Sequence, residues 1–388
     1  MSNPIRQLLS AALVIASLGT GQALAGDGFR AGRTGLSYRT DDFKVELGGR
    51  LQWDVGHIDD GGADSDDQEI RRGRLEMRMR LQDDWRIRVD REFTNGGGWR
   101  NVWLSYDVTN RLTLKGGNFT APFSMEDLAS SNTTMFMERS LVHALSPGYG
   151  MGAGAHYQGR HYSISGGYFS DALDDDNSIQ AKKGDGLSMR VTWNPIEQRK
   201  QILHLGVGLD RRDFDGGDSR LISTRPESHL APTVITTRVL RNLDKSASYN
   251  IEGAYSVGPV LLQSQFMSTD LDRAAGGDLK LDGYYAQAGW VLTGERHIYR
   301  DSVGVFDGVK PRHAWGAFEL AVRLSSLDLG EAGAAASGKA DDYSAGLNWY
   351  LGRNFSLMTN YVHSNVDAIN PARDRDMDIV QARGQLRF

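Results

Sequence analysis

Alternation of apolar and polar residues with period two is what most constrains this chain, and it is plainest in the last eleven residues, from Asp378 to Phe388. There Val380, Ala382, Gly384, Leu386 and Phe388 share one face, while Gln381, Arg383, Gln385 and Arg387 share the other. Successive strand side chains point to opposite sides, so this segment has one oily and one wet surface along its whole length. From Phe43 the same dyad sets Phe43, Val45, Leu47, Leu51, Trp53 and Val55 against Lys44, Glu46, Arg50, Gln52 and Asp54. A strand between lipid and a water-filled interior has to read this way.

The N-terminus sets the expected compartment. Residues 1–25 carry a basic Arg6, an apolar run from Leu8 to Leu18, and Ala23-Leu24-Ala25 as a small-residue cleavage site, the layout of a secretory signal peptide. A membrane anchor is the alternative, but the run is short and Gly19 and Gly21 break it. The expected mature domain is therefore 26–388. No later segment approaches the roughly 18 unbroken apolar residues of a membrane helix, so a membrane-spanning reading requires a barrel.

Composition fits. The 388 residues include 46 Gly and 14 Tyr but 9 Pro and no Cys, which suits many short strands and leaves no thiolate or disulfide chemistry. With 44 basic and 49 acidic residues the chain is net acidic, which speaks against nucleic acid as a partner. The nine histidines are scattered without metal-ligand spacing, and Thr94-Asn-Gly-Gly-Gly98 lacks the Lys-Ser/Thr of a phosphate loop. No cofactor is implied.

Strand patterns recur to the C-terminus. They predict an all-β fold, a transmembrane antiparallel β-barrel of about sixteen strands in one domain, with tight turns alternating with long polar loops. Trp53, Trp85, Trp290, Trp349 and Tyr350 read as interfacial girdle residues. One segment, 119–152, is too long for an ordinary connection and too apolar to project into water. It is expected to fold inward as a constriction loop; covering the barrel mouth or reaching a neighbouring subunit is the alternative.

Between Glu69 and Glu92 lie eight arginines and six acids. The dyad turns Arg72, Arg74, Arg78, Arg80, Arg86 and Arg88 inward, because an arginine on the lipid side near the midplane costs about 2–4 kcal/mol. Cations clustered on one wall of a narrow channel would draw in anions. The competing reading pairs them with Glu76, Asp90 and Glu92 as wall stiffening. The acidic loops 59–67 and 171–176 could bridge lipopolysaccharide through divalent cations, or stand as solvated charge.

The block Gly117-Asn-Phe-Thr-Ala-Pro-Phe-Ser-Met-Glu126, with Phe136-Met-Glu-Arg-Ser140, Gly283-Tyr-Tyr-Ala-Gln287, Leu292-Thr-Gly-Glu295, Lys310-Pro311, Gly316-Ala-Phe-Glu-Leu320 and Gly346-Leu-Asn-Trp-Tyr350, resembles the phosphate-selective porin O and P family in motif order along the mature chain. The resemblance implies a homotrimeric sixteen-stranded outer-membrane channel for anions, phosphate or related oxyanions among them. It also implies outer-membrane lipid as surroundings, and the barrel-assembly machinery as the reader of the terminal Phe388. Arg50, Arg71 and Arg72 match ladder arginines of that family, Arg139 one in the constriction loop and Arg225 one in a mid-chain loop. Arg86 stands where a binding-site lysine would sit. The mid-chain loop has fewer arginines than the family pattern and contains Glu227, and residues 119–138 contain no lysine. These departures favour anion preference over tight phosphate binding. Alternatives are a general diffusion porin with little charge selectivity and, from another class, a barrel-type hydrolase, for which no His-Ser constellation stands out. A receptor with a plug and about 22 strands does not fit in this length.

If Phe388 is an assembly signal, deleting it should lower the amount of barrel in the outer membrane far more than the conductance of what inserts. Membrane fractionation with heat-modifiable electrophoresis reads the first and planar-bilayer recording the second. Normal membrane levels would count against that role.

Overall fold

A computed structural model describes residues 28–32, 35–62, 64–174, 183–215, 220–237, 239–330, 338–369 and 374–388. The signal-peptide reading at 1–25 and part of the acidic loop 171–176 lie outside the described residues. Sixteen antiparallel strands form the wall. The first eight are β1 (Phe43–Asp59), β2 (Asp64–Leu81), β3 (Trp85–Glu92), β4 (Gly98–Asp107), β5 (Leu112–Thr120), β6 (Tyr149–Gln158), β7 (Tyr162–Ser170) and β8 (Asp185–Gln198). The remainder are β9 (Gln201–Asp213), β10 (Leu243–Val257), β11 (Val260–Arg273), β12 (Leu279–Val291), β13 (Ala317–Asp328), β14 (Gly338–Leu351), β15 (Phe355–Ala368) and β16 (Arg375–Arg387). Each pairs with its neighbours in sequence, and β16 closes on β1 from Asp378↔Asp59 to Arg387↔Arg50. Phe388 extends that seam, donating from its N–H to the Gly49 carbonyl at 3.0 Å and accepting from the Gly49 N–H at 2.8 Å.

The alternation behaves as the dyad requires. Leu187, Met189, Val191 and Trp193 on β8 are exposed to lipid, while Ser188, Arg190, Thr192 and Asn194 are buried inward. Trp290 is exposed, and Trp349 stacks on Phe318 near the strand ends. Tyr350 departs from the girdle expectation: it is buried, with its hydroxyl on Glu319 at 2.5 Å, because it falls on the lumen phase of β14.

Both ends of the described barrel and most two- to four-residue turns lie at one rim, which is the periplasmic side of such barrels. Two features at this rim were not expected. A short hairpin, Phe29–Gly32 with Gly35–Arg39, extends β1 by pairing Leu36↔Leu47 to Arg39↔Lys44. The connection 292–316 is long rather than tight and carries its own hairpin, His297–Arg300 with Val305–Val309. It reaches across the lumen: Arg190 on β8 donates to the carbonyls of Val303 and Gly304, both at 2.7 Å, and Tyr299 donates to Asn194 at 2.9 Å.

From the opposite rim the segment between β5 and β6 descends into the barrel. It contains a helical turn, α1 (Met125–Leu128), and a 3₁₀ turn at Leu141–Leu145. Phe123, Leu141, Val142 and Leu145 join one core with Met267, Leu281 and Tyr285 of the wall, and Met125, Met135 and Phe136 join another with Val305 and Phe306 of the periplasmic hairpin. An irregular backbone needs outside partners at this depth. The wall supplies them: Glu252 accepts from Met125 N–H at 2.7 Å, Gln265 from Glu126 N–H at 3.0 Å, and Asn360 from Met137 N–H at 3.0 Å. The mid-chain loop is anchored too, through Glu227, which accepts from Ser325 and Ser344 at 2.6 Å each and from Arg323 at 2.8 Å.

Glycines in the wall make room for these segments. A Cβ on Gly208 would collide with the Phe123 carbonyl, one on Gly283 would lie 3.0 Å from Val142, and one on Gly56 2.8 Å from Leu230. Gly208→Val should therefore leave a closed barrel, since overpacking costs about 1–3 kcal/mol. It should displace the inward loop and raise single-channel conductance severalfold in planar bilayers.

Candidate functional site: the arginine wall of the lumen

Loop and hairpin cover the lumen face of β10 to β16, where Glu252, Gln265, Arg323, Asn348, Asn360, Arg383 and Gln385 are all buried. The facing wall, β2 to β5, keeps solvent-exposed charge. On β2 the side chain of Arg78 is 55% exposed, and on β3 those of Arg86 and Arg88 are 43% and 25% exposed.

The sequence-predicted residues separate into groups. Arg50 is buried, bonded to Ser131 of the inward loop at 2.8 Å and paired with Glu76. Arg71 clamps both oxygens of Glu138 at 2.9 and 3.0 Å. Arg72 reaches the same carboxylate at 3.2 Å and Gln52 at 2.7 Å. Two consecutive arginines can share one loop carboxylate because the register slips there: Gln52 faces Arg72 but Trp53 faces Ile70, which makes Arg71 the extra residue of a bulge. Arg383 completes the cluster, bonded to Asp54 and, at 2.7 Å, to Glu138. Burial pushes the Glu138 carboxyl up, but Arg72, Arg71 and Arg383 outweigh it and hold it well below the usual carboxylate range. Stability from this cluster is present above the unfolded carboxyl value and is lost only as pH falls through the depressed folded one.

Arg74 pairs with Glu92 at 3.1 Å. Arg139 holds the loop to itself, with its guanidinium on the carbonyls of Glu126, Asp127 and Ala129 at 3.0 to 3.2 Å. Arg225 is exposed in the mid-chain loop and donates to the His229 carbonyl. Arg78 and Arg86 remain at the open wall, on Glu76 and Asp107. The pairs expected of stiffening cations are thus present, and half-exposed arginines stand beside them.

Sequence reasoning passed over Lys115 on β5. Its ammonium lies 4.7 Å from the Trp103 ring centroid and 5.1 Å from that of Phe119, and among the described residues it has no ion-pair partner. Registers place Lys115 in one row with Arg80 and Arg86, through Arg80↔Arg86, Arg86↔Ser105 and Ser105↔Lys115, with Arg88 two residues along β3 from Arg86. The alternation of Leu112, Leu114 and Gly116 with Thr113 and Lys115 would have found it. Arg50, Arg78, Arg86 and Arg88 pair with the three carboxylates Glu76, Asp90 and Asp107, and with Lys115 beside them there are five cations against three acids, an excess of two positive charges.

Comparison with known proteins gives the family and the fold of the chain. The family model described as phosphate-selective porin O and P matches residues 45–388. Porin O of Pseudomonas aeruginosa is 26% identical over 401 aligned positions covering 91% of each chain. Among solved structures, the anion-selective porin from Comamonas acidovorans aligns with a TM-score of 0.56 at 15% identity, covering 89% of this chain and 100% of its own. The trimer form of OmpT from Vibrio cholerae aligns with a TM-score of 0.56 at 12% identity, covering 90% and 100%. At these identities the two structures show a shared porin fold.

In this Cys-free chain, Arg78→Cys and Arg86→Cys should react rapidly with small charged thiol reagents. Arg50→Cys and Arg72→Cys should react more slowly, by about tenfold for each 1.4 kcal/mol needed to lift the loop. Equal rates at all four would refute the division into covered and open walls.

Proposed function

Since the chain belongs to the phosphate-selective porin O and P family, we propose that this outer-membrane channel passes small anions, phosphate or related oxyanions among them, along the open wall of Arg78, Arg86, Arg88 and Lys115. The observation that carries this reading is the local excess of cations around Glu76, Asp90 and Asp107, five against three once the buried Arg50 behind the open wall is counted, beside a loop and hairpin that narrow the lumen. In a confined, partly desolvated passage such an excess concentrates anions and repels cations. Arg78 and Arg86 engage carboxylates at one edge of the guanidinium and keep exposure, so each can offer the rest of its fork to an oxyanion. Lys115 adds a point charge that no acid among the described residues pairs with. Conduction needs sites that bind and let go, and partly engaged cations meet that need better than bare ones. Arg225, exposed in the mid-chain loop, fits a role at the outer approach, whereas Arg50, Arg71, Arg72, Arg74 and Arg139 support the passage by fixing wall and loop.

A homotrimer is part of the proposal, in keeping with the trimer form recorded for OmpT, as is removal of residues 1–25 on export and recognition of Phe388 by the assembly machinery. A general diffusion porin with little charge selectivity is the second reading. It draws support from the neutral pairing of Arg74 with Glu92 and of Arg190 with Glu252 in the wall.

Reversal potentials in a salt gradient decide between them. Lys115→Glu changes local charge by two units, worth about 8 kcal/mol at 4 Å and an effective dielectric near 20 before screening. Salt reduces this, with a Debye length of about 10 Å at 0.1 M. Lys115→Glu and Arg78→Glu should each shift the reversal potential toward cations, the pair cumulatively, and phosphate should block chloride current less. A double variant with unchanged anion preference would favour the general porin.

A further inference from the structure

The outer face of the barrel carries a groove of about 870 Å³ that crosses β9 to β15. Its floor is made of small residues, Gly253, Ala286, Ala288 and Ala345, where neighbouring lipid-facing positions carry large ones. Leu262, Tyr255, Tyr343 and Tyr361 form its sides. Direct cross-strand pairing makes the lining continuous from strand to strand in a row of sides and floor, through Leu203↔Tyr255, Tyr255↔Leu262, Leu262↔Ala288, Ala288↔Val322, Val322↔Ala345 and Ala345↔Tyr361. Seven strands about 4.8 Å apart give a row about 29 Å long. Across strands tilted about 45° it climbs about 20 Å, more than the depth of about 15 Å of one leaflet.

The lower end of the row is Leu203, the third residue of β9, just above the periplasmic turn of Arg199 and Lys200. Arg296 joins this turn by donating to the Arg199 carbonyl. All three cations are exposed, and among the described residues none is in an ion pair; of the acids at this rim, Glu197 is engaged by His161 at 3.0 Å and the exposed Asp301 lies near Glu197, so the three cations face two acids, one of them already paired. Surrounding lipid tails are as apolar as the groove, so hydrocarbon contact alone would not retain one molecule over others. An anionic headgroup held at the rim would.

We infer that this groove seats an acyl chain of an anionic phospholipid of the periplasmic leaflet, with its phosphate held by Arg199, Lys200 and Arg296. This binding site lies outside the lumen and does not depend on the anion reading of the channel. The forks of Arg199 and Arg296 suit two phosphate oxygens, Lys200 supplies a third charge, and the groove orients the tail that follows.

Native mass spectrometry of the purified protein in detergent containing dioleoylphosphatidylglycerol tests the site. Retained phosphatidylglycerol is expected on the wild type and on Val191→Trp, which enlarges a lipid-facing residue outside the groove. Filling the groove with Ala286→Trp and Ala288→Trp should abolish retention. The triple change Arg199→Gln, Lys200→Gln and Arg296→Gln should weaken it by at least about tenfold. Heat-modifiable migration confirms that each variant is a closed barrel. Full retention by either variant, or equal retention of dioleoylphosphatidylcholine by the wild type, would overturn the site. So would dissociation of the native oligomer on filling the groove, which would identify the seat of a second copy instead.

Discussion

Everything in this molecule follows from the absence of water around its backbone in the hydrocarbon layer. Each N–H and C=O must find a protein partner there, and a sheet does so only by closing on itself. The β16–β1 seam performs that closure, and it runs to the last residue because Phe388 pairs with Gly49 by both its N–H and its carbonyl. Closure then separates every strand into two phases, and the phase rather than the residue type decides each side chain's surroundings. Tyr350 shows the force of that rule: an aromatic residue near a strand end serves the lumen because it lies on the inward phase.

A polar interior creates a second problem once segments fold into it and expel water. Buried charges cost several kcal/mol each unless paired, and the pairing must be geometrically good. The lumen face answers with shared carboxylates. Glu138 takes Arg71, Arg72 and Arg383, and Glu252 takes Arg190 and His204 while capping Met125 N–H. The same ion pairs that stiffen the wall therefore dock the loop. Glycines opposite Phe123 and Val142 supply the space, so docking is written into the wall as much as into the loop.

Period two made the strands, their phases and the sixteen-strand count legible, because one-sided burial leaves an unmistakable pattern. Length and apolar content likewise marked the inward segment. What could not be read lay in contacts between distant positions. Arg72 looked like a pore cation, yet its partner Glu138 is 66 residues away. The bulge that makes Arg71 its companion is a one-residue slip without a compositional sign. Arg139 kept its place in the loop but turned to backbone carbonyls. The course of the connection 292–316 is likewise set by distant partners, since pairing with Asn194 and Arg190 draws it across the lumen. Lys115 was within reach of the dyad and was hidden by the louder arginine cluster beside it.

Exposure separates arginines that build from those that can exchange partners. Around Glu138 three guanidinium groups, little exposed, converge on a carboxylate beneath the loop, and an anion entering there would have to displace a docked segment. Around Glu76 three arginines also converge, but Arg78 and Arg88 face the open side, and Lys115 stands nearby without an acid. An oxyanion arriving at that wall meets donors already ordered by Glu76 and Asp107, so little side-chain entropy is lost on contact. On the proposed pathway the carboxylates are thus part of the passage: they hold the forks in place and lower the affinity of each site, which lets an anion move on.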